Sequence, residues 1–552
     1  MNDAVLTELF HEMKVNYFIS ELSRRLKPEN LMLKGVHVIP LAQDGRANRN
    51  SDITIKNGII TSIESHSTRE RGSDFRALEF PGKYVIPGLV DAHVHMLSSN
   101  RDFLLNLVNG ITTIREMCGF PWLLNLKRAI QVGKFLAPDL FVGGHMLNYE
   151  PFNDYTTVVR TEHEVKRAID KQHSLGYDFI KVWNHMPLEL LRVIGEYAHQ
   201  KGLTVSAHIP HGITVKQAVE AGIRSFEHFK GYLDDRTIKL TEEDYVQETP
   251  TKNVWNCPTF ITFKMDGLIG EEAISYLNQE ERFNYISPYE RENWEKEIKN
   301  RTQQVENLKW NIPKDHYHLQ VEIFQSLLQK EGIQFLCGTD LGGGAPLSSQ
   351  GFGLIDEIEI MNSLGLRHLE TLRAATVNPA KVLQADNEFG KIAVNMKANL
   401  VILNENPLET LDTLKRDKDI VIRGIYISDS ERKSILESIK GIYKLKPLLD
   451  TSTKELTEAL LEYYLSPENR LYLKPPYIRL FAEYLNSNNM HKEAGKLLKI
   501  NLRISNTFFD YKELARHYER LGSEMEARKY YSETLAMNPY DVDAQSYVQN
   551  HP

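Results

Sequence analysis

The residues best suited to chemistry begin with Val90-Asp91-Ala92-His93-Val94-His95. Side chains two apart on a strand share a face, so His93 and His95 can reach one metal ion together. Taken alone, such a pair serves equally well in packing or in solvent. Four further residues change that balance, because each closes a different short apolar run. Lys181 ends Asp178-Phe179-Ile180-Lys181, and His208 ends Val205-Ser206-Ala207-His208. His228 ends Ser225-Phe226-Glu227-His228, and Asp340 ends Cys337-Gly338-Thr339-Asp340. Imidazole, amine and carboxylate groups converging from several strand ends read as a metal site rather than as core.

Positioning them requires strands that all end on one side. From Tyr84 to about Leu383, short apolar runs alternate with helical stretches. The strand candidates are Val85–Val90, Ile111–Ile114, Leu140–Val142, Phe179–Val182, Thr204–Ser206, Ser225–Glu227, Val254–Asn256 and Gln334–Leu336. This alternation predicts an α/β fold, a (β/α)8 TIM barrel over residues 85–385, with its active site at the C-terminal strand ends. Polar–apolar alternation before it, with the hairpin signal Asn57-Gly58, predicts β structure over 30–84. β texture returns after the barrel at Ala398–Leu403 and Ile420–Ile427, within 386–429.

Residues 1–29 read as an amphipathic helix, with Leu6, Leu9, Phe10, Met13, Tyr17 and Leu22 at helical spacing. Residues 430–552 read as all helical. There Tyr511, Leu514, Ala515, Tyr518, Gly522, Ala527, Tyr531 and Pro539 follow tetratricopeptide spacing. A weaker copy holds Leu480, Phe481, Tyr484, Ala494 and Leu498. This region is either a partner-binding surface, a cap on the barrel or a homo-oligomer contact. The stretch 259–319 is long for a barrel loop and rich in aromatics (Tyr276, Phe283, Tyr285, Tyr289, Trp294, Trp310), which fits a lid, an oligomer contact or a solvated helical pair. Gly342-Gly343-Gly344 lacks a following Gly-Lys-Ser/Thr; it suits close backbone passage rather than phosphate binding.

Composition sets the class. The 552 residues suggest three to four structural units. With 66 basic against 74 acidic side chains, the net charge of −8 offers no field for nucleic acid. No apolar run approaches the roughly 20 residues of a membrane span. Glu8, His11, Glu12 and Lys14 interrupt any signal-peptide core. Three scattered cysteines (Cys118, Cys257, Cys337) without a CxxC fit a reducing, cytoplasmic compartment and buried packing roles.

The His-x-His after Ile86-Pro87-Gly88-Leu89-Val90-Asp91-Ala92, the strand-end lysine, the two separate histidines and Gly338-Thr339-Asp340 resemble the amidohydrolase superfamily. More narrowly they are similar to its imidazolonepropionase-like and Xaa-Pro dipeptidase (prolidase) branch. Arg373-Ala374-Ala375-Thr376-Val377-Asn378-Pro379-Ala380, Asn399-Leu400-Val401-Ile402-Leu403 and Asn406-Pro407-Leu408 fit that branch too. The resemblance spans about residues 31–428, and the helical region beyond lies outside its usual pattern. It implies that the flanking β segments form a small β-sandwich. It further implies two divalent metal ions: His93 and His95 on the first with Asp340, His208 and His228 on the second, and carboxylated Lys181 between them. A lysine between two cations is intelligible only as an anionic carbamate, formed from CO2 and the neutral amine. The donor set is compatible with zinc.

Such a pair lowers the pKa of a bridging water to supply hydroxide near neutral pH. Asp340 would shuttle its proton to the leaving group. By the same resemblance, His145 would contact substrate or oxyanion, and Tyr232 would hold a substrate carboxylate. Here the chain departs from the branch. Glu227-His228-Phe229-Lys230-Gly231-Tyr232 carries one inserted residue and a displaced glycine. Lys230 either offers charge to an anionic substrate or is solvated. The expected activity is hydrolysis of a C–N bond in a dipeptide or N-acyl amino acid. Open alternatives are a cyclic amide, or an ester, lactone or phosphotriester on the same site. A non-enzymatic alternative is an inactive scaffold with a helical interaction tail.

Overall fold

Alternation in the first flank becomes five strands: β1 (Leu31–Val38), β2 (Asn48–Lys56), β3 (Ile59–Ser65), β4 (Arg76–Glu79) and β5 (Tyr84–Pro87). The computed structural model describes residues 2–41, 48–67, 74–152, 156–232, 247, 249–309, 311–342, 346–347, 349–446 and 452–551. Trp310 and the Gly343-Gly344 pair lie outside the described residues. Asn57 and Gly58 both have positive φ (51° and 75°), the geometry a tight β2–β3 hairpin demands.

The next strands are β6 (Leu89–Val94), β7 (Ile111–Glu116), β8 (Asp139–Val142), β9 (Met146–Asn148), β10 (Thr156–Val158), β11 (Phe179–Val182), β12 (Thr204–Ala207), β13 (Ser225–Glu227), β14 (Trp255–Cys257) and β15 (Gln334–Phe335). They pair in parallel as two sheets, β6-β7-β8 and β10-β9-β11-β12-β13-β14-β15. A parallel bridge between Gly143 and Phe179 links the sheets on one side. On the other, Ala92 N donates to Cys337 O (3.0 Å), Thr339 N to His93 O (3.1 Å), and Val94 bridges Leu341. Helices such as Arg101–Val108, Glu162–Leu175 and Leu188–Gln200 run between successive strands, as parallel pairing requires.

The expected run Val85–Val90 divides at Gly88. β5 joins the flanking sheet and β6 the parallel set. A Cβ on Gly88 would lie 2.0 Å from Thr112 Oγ1, so the crossing requires glycine. The chain returns to the flank as β16 (Leu400–Leu403), β17 (Lys418–Ile422) and β18 (Ile425–Ile427).

Both flanks thus fold together, but as one sheet and not as a two-sheet sandwich. Its order is β18-β17-β16-β5-β1-β2-β3, with β4 also on β1. The physical reason is β1, whose irregular register lets its first half pair with β4 and its end with β5. The far edge curls back, since Ile60 N donates to Met396 O and Asn395 N to Ile60 O. One core of Leu31, Leu33, Ile53, Ile55 and Leu400 lies inside the curl.

The N-terminal helix, Asn2–Arg25, forms as its spacing predicts and divides its apolar face between two cores. Leu6, Leu9 and Met13 pack with Leu460, Tyr464 and Phe481 of the C-terminal helices. Val15, Ile19 and Leu22 pack with Phe103 and Phe135 beside the parallel strands. Tyr17, counted on the apolar face, is half exposed. The C-terminal region is helical: Asp429–Lys444, Thr453–Leu465, Pro475–Ser487, His491–Ser505, Phe508–Arg520, Glu524–Met537 and Val542–Asn550. Among the described residues, no helix is long and apolar enough to cross a membrane. The three cysteines are buried and unpaired.

Leu9 is fully buried between the two ends of the chain. Leu9→Ala should therefore cost about 2–5 kcal/mol, the range for a large-to-small change in a packed core. A lowered midpoint in urea or thermal unfolding checks this; an unchanged midpoint would mean that the helix does not stabilise the fold.

Candidate metal centre and catalytic pocket

The ends of the parallel strands bring His93, His95, Lys181, His208, His228 and Asp340 into the wall of one cavity of about 430 Å³. His93 Nε2 lies 3.3 Å and His95 Nε2 2.9 Å from Asp340 Oδ1, and His228 Nε2 lies 3.8 Å from Asp340 Oδ2. The His93 and His228 ring centres are 4.6 Å apart, and those of His208 and His228 are 4.7 Å apart. All six residues singled out in the sequence therefore meet.

Three of the four histidine rings are oriented from behind. His93 Nδ1 contacts Glu227 Oε2 (2.7 Å), His208 Nδ1 contacts Asn184 Oδ1 (2.9 Å), and His228 Nδ1 contacts Thr259 Oγ1 (2.6 Å). Anchoring one ring nitrogen leaves the other to face a ligand, which is how metal-binding histidines are held. His93, His95 and Asp340 present ligand atoms all within 4.8 Å of one another. Lys181 Nζ is fully buried and has no hydrogen-bond partner among the described residues. Burial, opposed by Glu227 and reinforced by Arg115, brings its pKa down to about 8. An orphaned buried amine among imidazoles and a carboxylate fits a group that is to be modified and then bind a cation. His93, His95 and Asp340 fit a divalent ion.

The backbone is strained where the donors emerge. His228, Thr259 and Asp340 have φ of 61°, 56° and 60°, a conformation that side chains other than glycine seldom adopt. Asp91 holds the first and last strand ends together. Its Oδ1 accepts from His93 N (3.2 Å) and Thr339 N (3.0 Å), and its Oδ2 accepts from Thr339 Oγ1 (2.8 Å). A Cβ on Gly338 would come within 2.7 Å of His93 N and Cys257 Sγ.

Tyr232 does not take the expected role. Gly231 turns the chain at φ 97°, and the Tyr232 hydroxyl donates to Asn256 Oδ1 (2.8 Å) and bonds Thr249 Oγ1 (3.0 Å). Its ring packs on Phe229 away from the cavity lining, as the insertion before it foreshadows, and Lys230 lines the cavity instead. His145 is also absent from that lining. Its ring meets Phe120 edge-on at 5.4 Å, and burial with nearby Lys171 draws its pKa down to about 4.

Several contributors carry no motif. Arg115 Nη2 pairs with Glu227 Oε1 at 2.6 Å, both fully buried. Met96 N and Cys118 N donate to Glu116. Trp183, Met146, Phe263 and Leu97 form the apolar wall. The signal for Arg115, Glu116 and Glu227 was a charged residue at the end of a short strand that is otherwise uncharged. No comparable signal marks the wall. Phe263 and Asp266 come from the helix Phe260–Asp266 at the start of the 259–319 insertion, so that segment does border the pocket. Arg301, further along it, holds Asp266 Oδ1 at 2.6 Å.

Residues 84–424 match the family described as the amidohydrolase family. The chain belongs to that family. A TIM-barrel-type fold comes with membership, and the protein is a hydrolase of carbon–nitrogen bonds. Ochratoxinase of Aspergillus niger is 22% identical over 456 residues, covering 68% of this chain and 82% of the relative. Among solved structures, bottromycin amidohydrolase matches with a TM-score of 0.63 at 21% identity, over 78% of this chain and 93% of that one. A putative prolidase from Bifidobacterium longum matches with a TM-score of 0.56 at 21% identity, over 74% and 99%. These likenesses establish a shared amidohydrolase fold.

Two outcomes are expected. Gly338→Ala should displace His93 and cost about 1–3 kcal/mol, as overpacking does, read as a lower thermal midpoint. Glu357 accepts from Phe260 N (3.0 Å) and Ile261 N (2.8 Å), and burial holds its pKa up at about 8. Its folded pKa exceeds the unfolded value. Its contribution is therefore complete below the unfolded pKa and is lost as pH rises through about 8. The stability of wild type relative to Glu357→Gln should fall between acidic pH and pH above 8 in paired urea titrations.

Proposed function

We propose that this chain is a binuclear metal-dependent amidohydrolase that cleaves the amide of a dipeptide or N-acyl amino acid. The observation that carries this reading is the buried, unpartnered Lys181 amine among four histidines and Asp340. His93 and His95 with Asp340 would hold one ion, His208 and His228 the other, and Lys181, as its carbamate, both. Zinc suits this nitrogen- and oxygen-rich set. When bound, the ions would acidify a shared water and polarise the scissile carbonyl.

Asp340 performs the proton transfers. Burial alone would raise its pKa, but His228, His93 and His95 hold it well below the usual carboxylate range, so it starts as a base. It takes a proton from the attacking water and delivers it to the leaving nitrogen. Glu227 stabilises His93 through its Nδ1 and is itself compensated by Arg115. Trp183, Met146 and Phe263 supply an apolar wall, while Lys230 and Asp266 supply charge of both signs. That mixture suits a substrate with an apolar side chain and a free carboxylate. Bonds from β6 to the 337–341 segment, with the Gly143–Phe179 bridge, support closure of the two parallel sheets as one (β/α)8 barrel. The helix pairs 475–505 and 508–537 support a tetratricopeptide-like reading of the C-terminal region.

Metal analysis of protein expressed with bicarbonate and zinc should find about two ions per chain. Lys181→Ala should lose one or both. Asp340→Asn should reduce kcat by about 10²–10⁴-fold on a panel of dipeptides and N-acyl amino acids. Protein without metal under any loading condition, or metal content indifferent to Lys181, would overturn the binuclear reading.

A further inference from the structure

The loop Met96–Asn100 joins the His-x-His strand to the helix Arg101–Val108, and Leu97 within it lines the cavity beside His93 and His95. The carbonyls on either side of Leu97 are held by one distant side chain. Lys474 Nζ donates to Met96 O (3.2 Å) and to Ser98 O. Lys474 is almost wholly buried, with its ammonium 5.2 Å from the Phe103 ring centre and 5.5 Å from that of Trp122. It immediately precedes the helix Pro475–Ser487, and the proline after it favours the extended backbone that it adopts.

The same loop is held from the other end of the chain. Glu12 accepts from Ser99 Oγ and from Asn100 N (3.0 Å). Asn100 Nδ2 donates to Asn16 Oδ1 (2.7 Å) and Tyr472 O (2.8 Å). On its inner side, Met96 N donates to Glu116, which lies 3.6 Å from His95 Nδ1. Lys474, Tyr472, Glu12 and Asn16 all lie outside the residues 84–424 that match the family. A buried ammonium spent on two carbonyls of one short loop is a strong, directional restraint, since charge-assisted bonds exceed neutral ones in strength.

We propose that Lys474 is a positioning residue of the pocket, acting through Leu97 and His95, so that segments outside the amidohydrolase domain complete its catalytic geometry. The inference rests on the proposed function in taking this cavity as the active pocket. It makes the terminal helices a working part of the enzyme and not a detachable docking tail.

The test uses full-length Lys474→Met, Lys474→Arg and the double variant K474M/E12Q. The double variant leaves no unpaired buried Glu12 charge and carries the test if the single change does not yield folded protein. Two quantities are read: hydrogen exchange over residues 95–101, and the rate at which a chelator strips zinc from the loaded protein. Loss of the ammonium should speed both by about tenfold, the lower end of the effect of outer partners on metal sites. Exchange at the more distant strand end, residues 204–207, should not change, and Lys474→Arg should restore most of the loss. Folded variants with wild-type exchange at 95–101 and wild-type zinc release would overturn the proposal. So would equal acceleration at 204–207, which would mark a general loss of stability. If wild type takes up no zinc, the proposed function fails, while the exchange pattern still decides the role of Lys474.

Discussion

Beneath the pocket, Arg115 and Glu227 form an ion pair with neither partner exposed to water. Burying two charges is costly, and removing either alone leaves an uncompensated ion, which is more costly still. Several of the pair's other hydrogen-bonding groups are used, although Arg115 Nη1 has no partner among the described residues. Ser225 Oγ donates to Glu227 Oε1, Ser206 Oγ and Ser225 Oγ accept from Arg115, and Glu227 Oε2 meets His93. This network spans β6, β7, β12 and β13, so the direction of the first histidine is tied to the register of four strands. The donors above it inherit that rigidity.

A second constraint is local. Residues at strand ends must turn sharply to aim side chains at a common point, and His228, Thr259 and Asp340 do so in a left-handed conformation. Such backbone strain persists only where surrounding bonds overdetermine it. Asp91 supplies part of that through its three bonds to the first and last strand ends. Thr259 supplies another part by holding His228 Nδ1. The geometry of the cavity and its backbone strain thus share the same bonds.

The periphery reaches inward by the same means. The N-terminal helix divides its apolar face between the terminal helices and the parallel strands. Its Glu12 and the C-terminal Lys474 both end on the loop that follows His95. The insertion contributes Phe263 and Asp266 to the opposite chemistry of the wall, with Arg301 fixing the acid. Pocket shape is therefore set by three parts of the chain remote from one another in sequence.

How much of this was legible depended on the range of the interaction. The six converging residues could be read because five of them lie in or directly after a short parallel strand, while Asp340 follows β15 by five residues within the Gly338-Thr339-Asp340 motif. The Asn57-Gly58 hairpin and the N-terminal helix were legible for the same local reason. Tyr232 and His145 were not, because their direction depends on a one-residue insertion and on packing against Phe229 and Phe120. The single curled sheet depended on register slips in β1 and on the crossing at Gly88, which only neighbouring Thr112 explains. Lys474 and Glu12 are ordinary charged residues in amphipathic segments until folding removes their water and gives them a loop to hold. Sequence by itself determined which six residues converge on the cavity, and the family, since both are carried by short local motifs. Tertiary structure decided which side chains orient those donors and close the pocket, since a buried charge takes its partner from whatever the fold brings within hydrogen-bond reach.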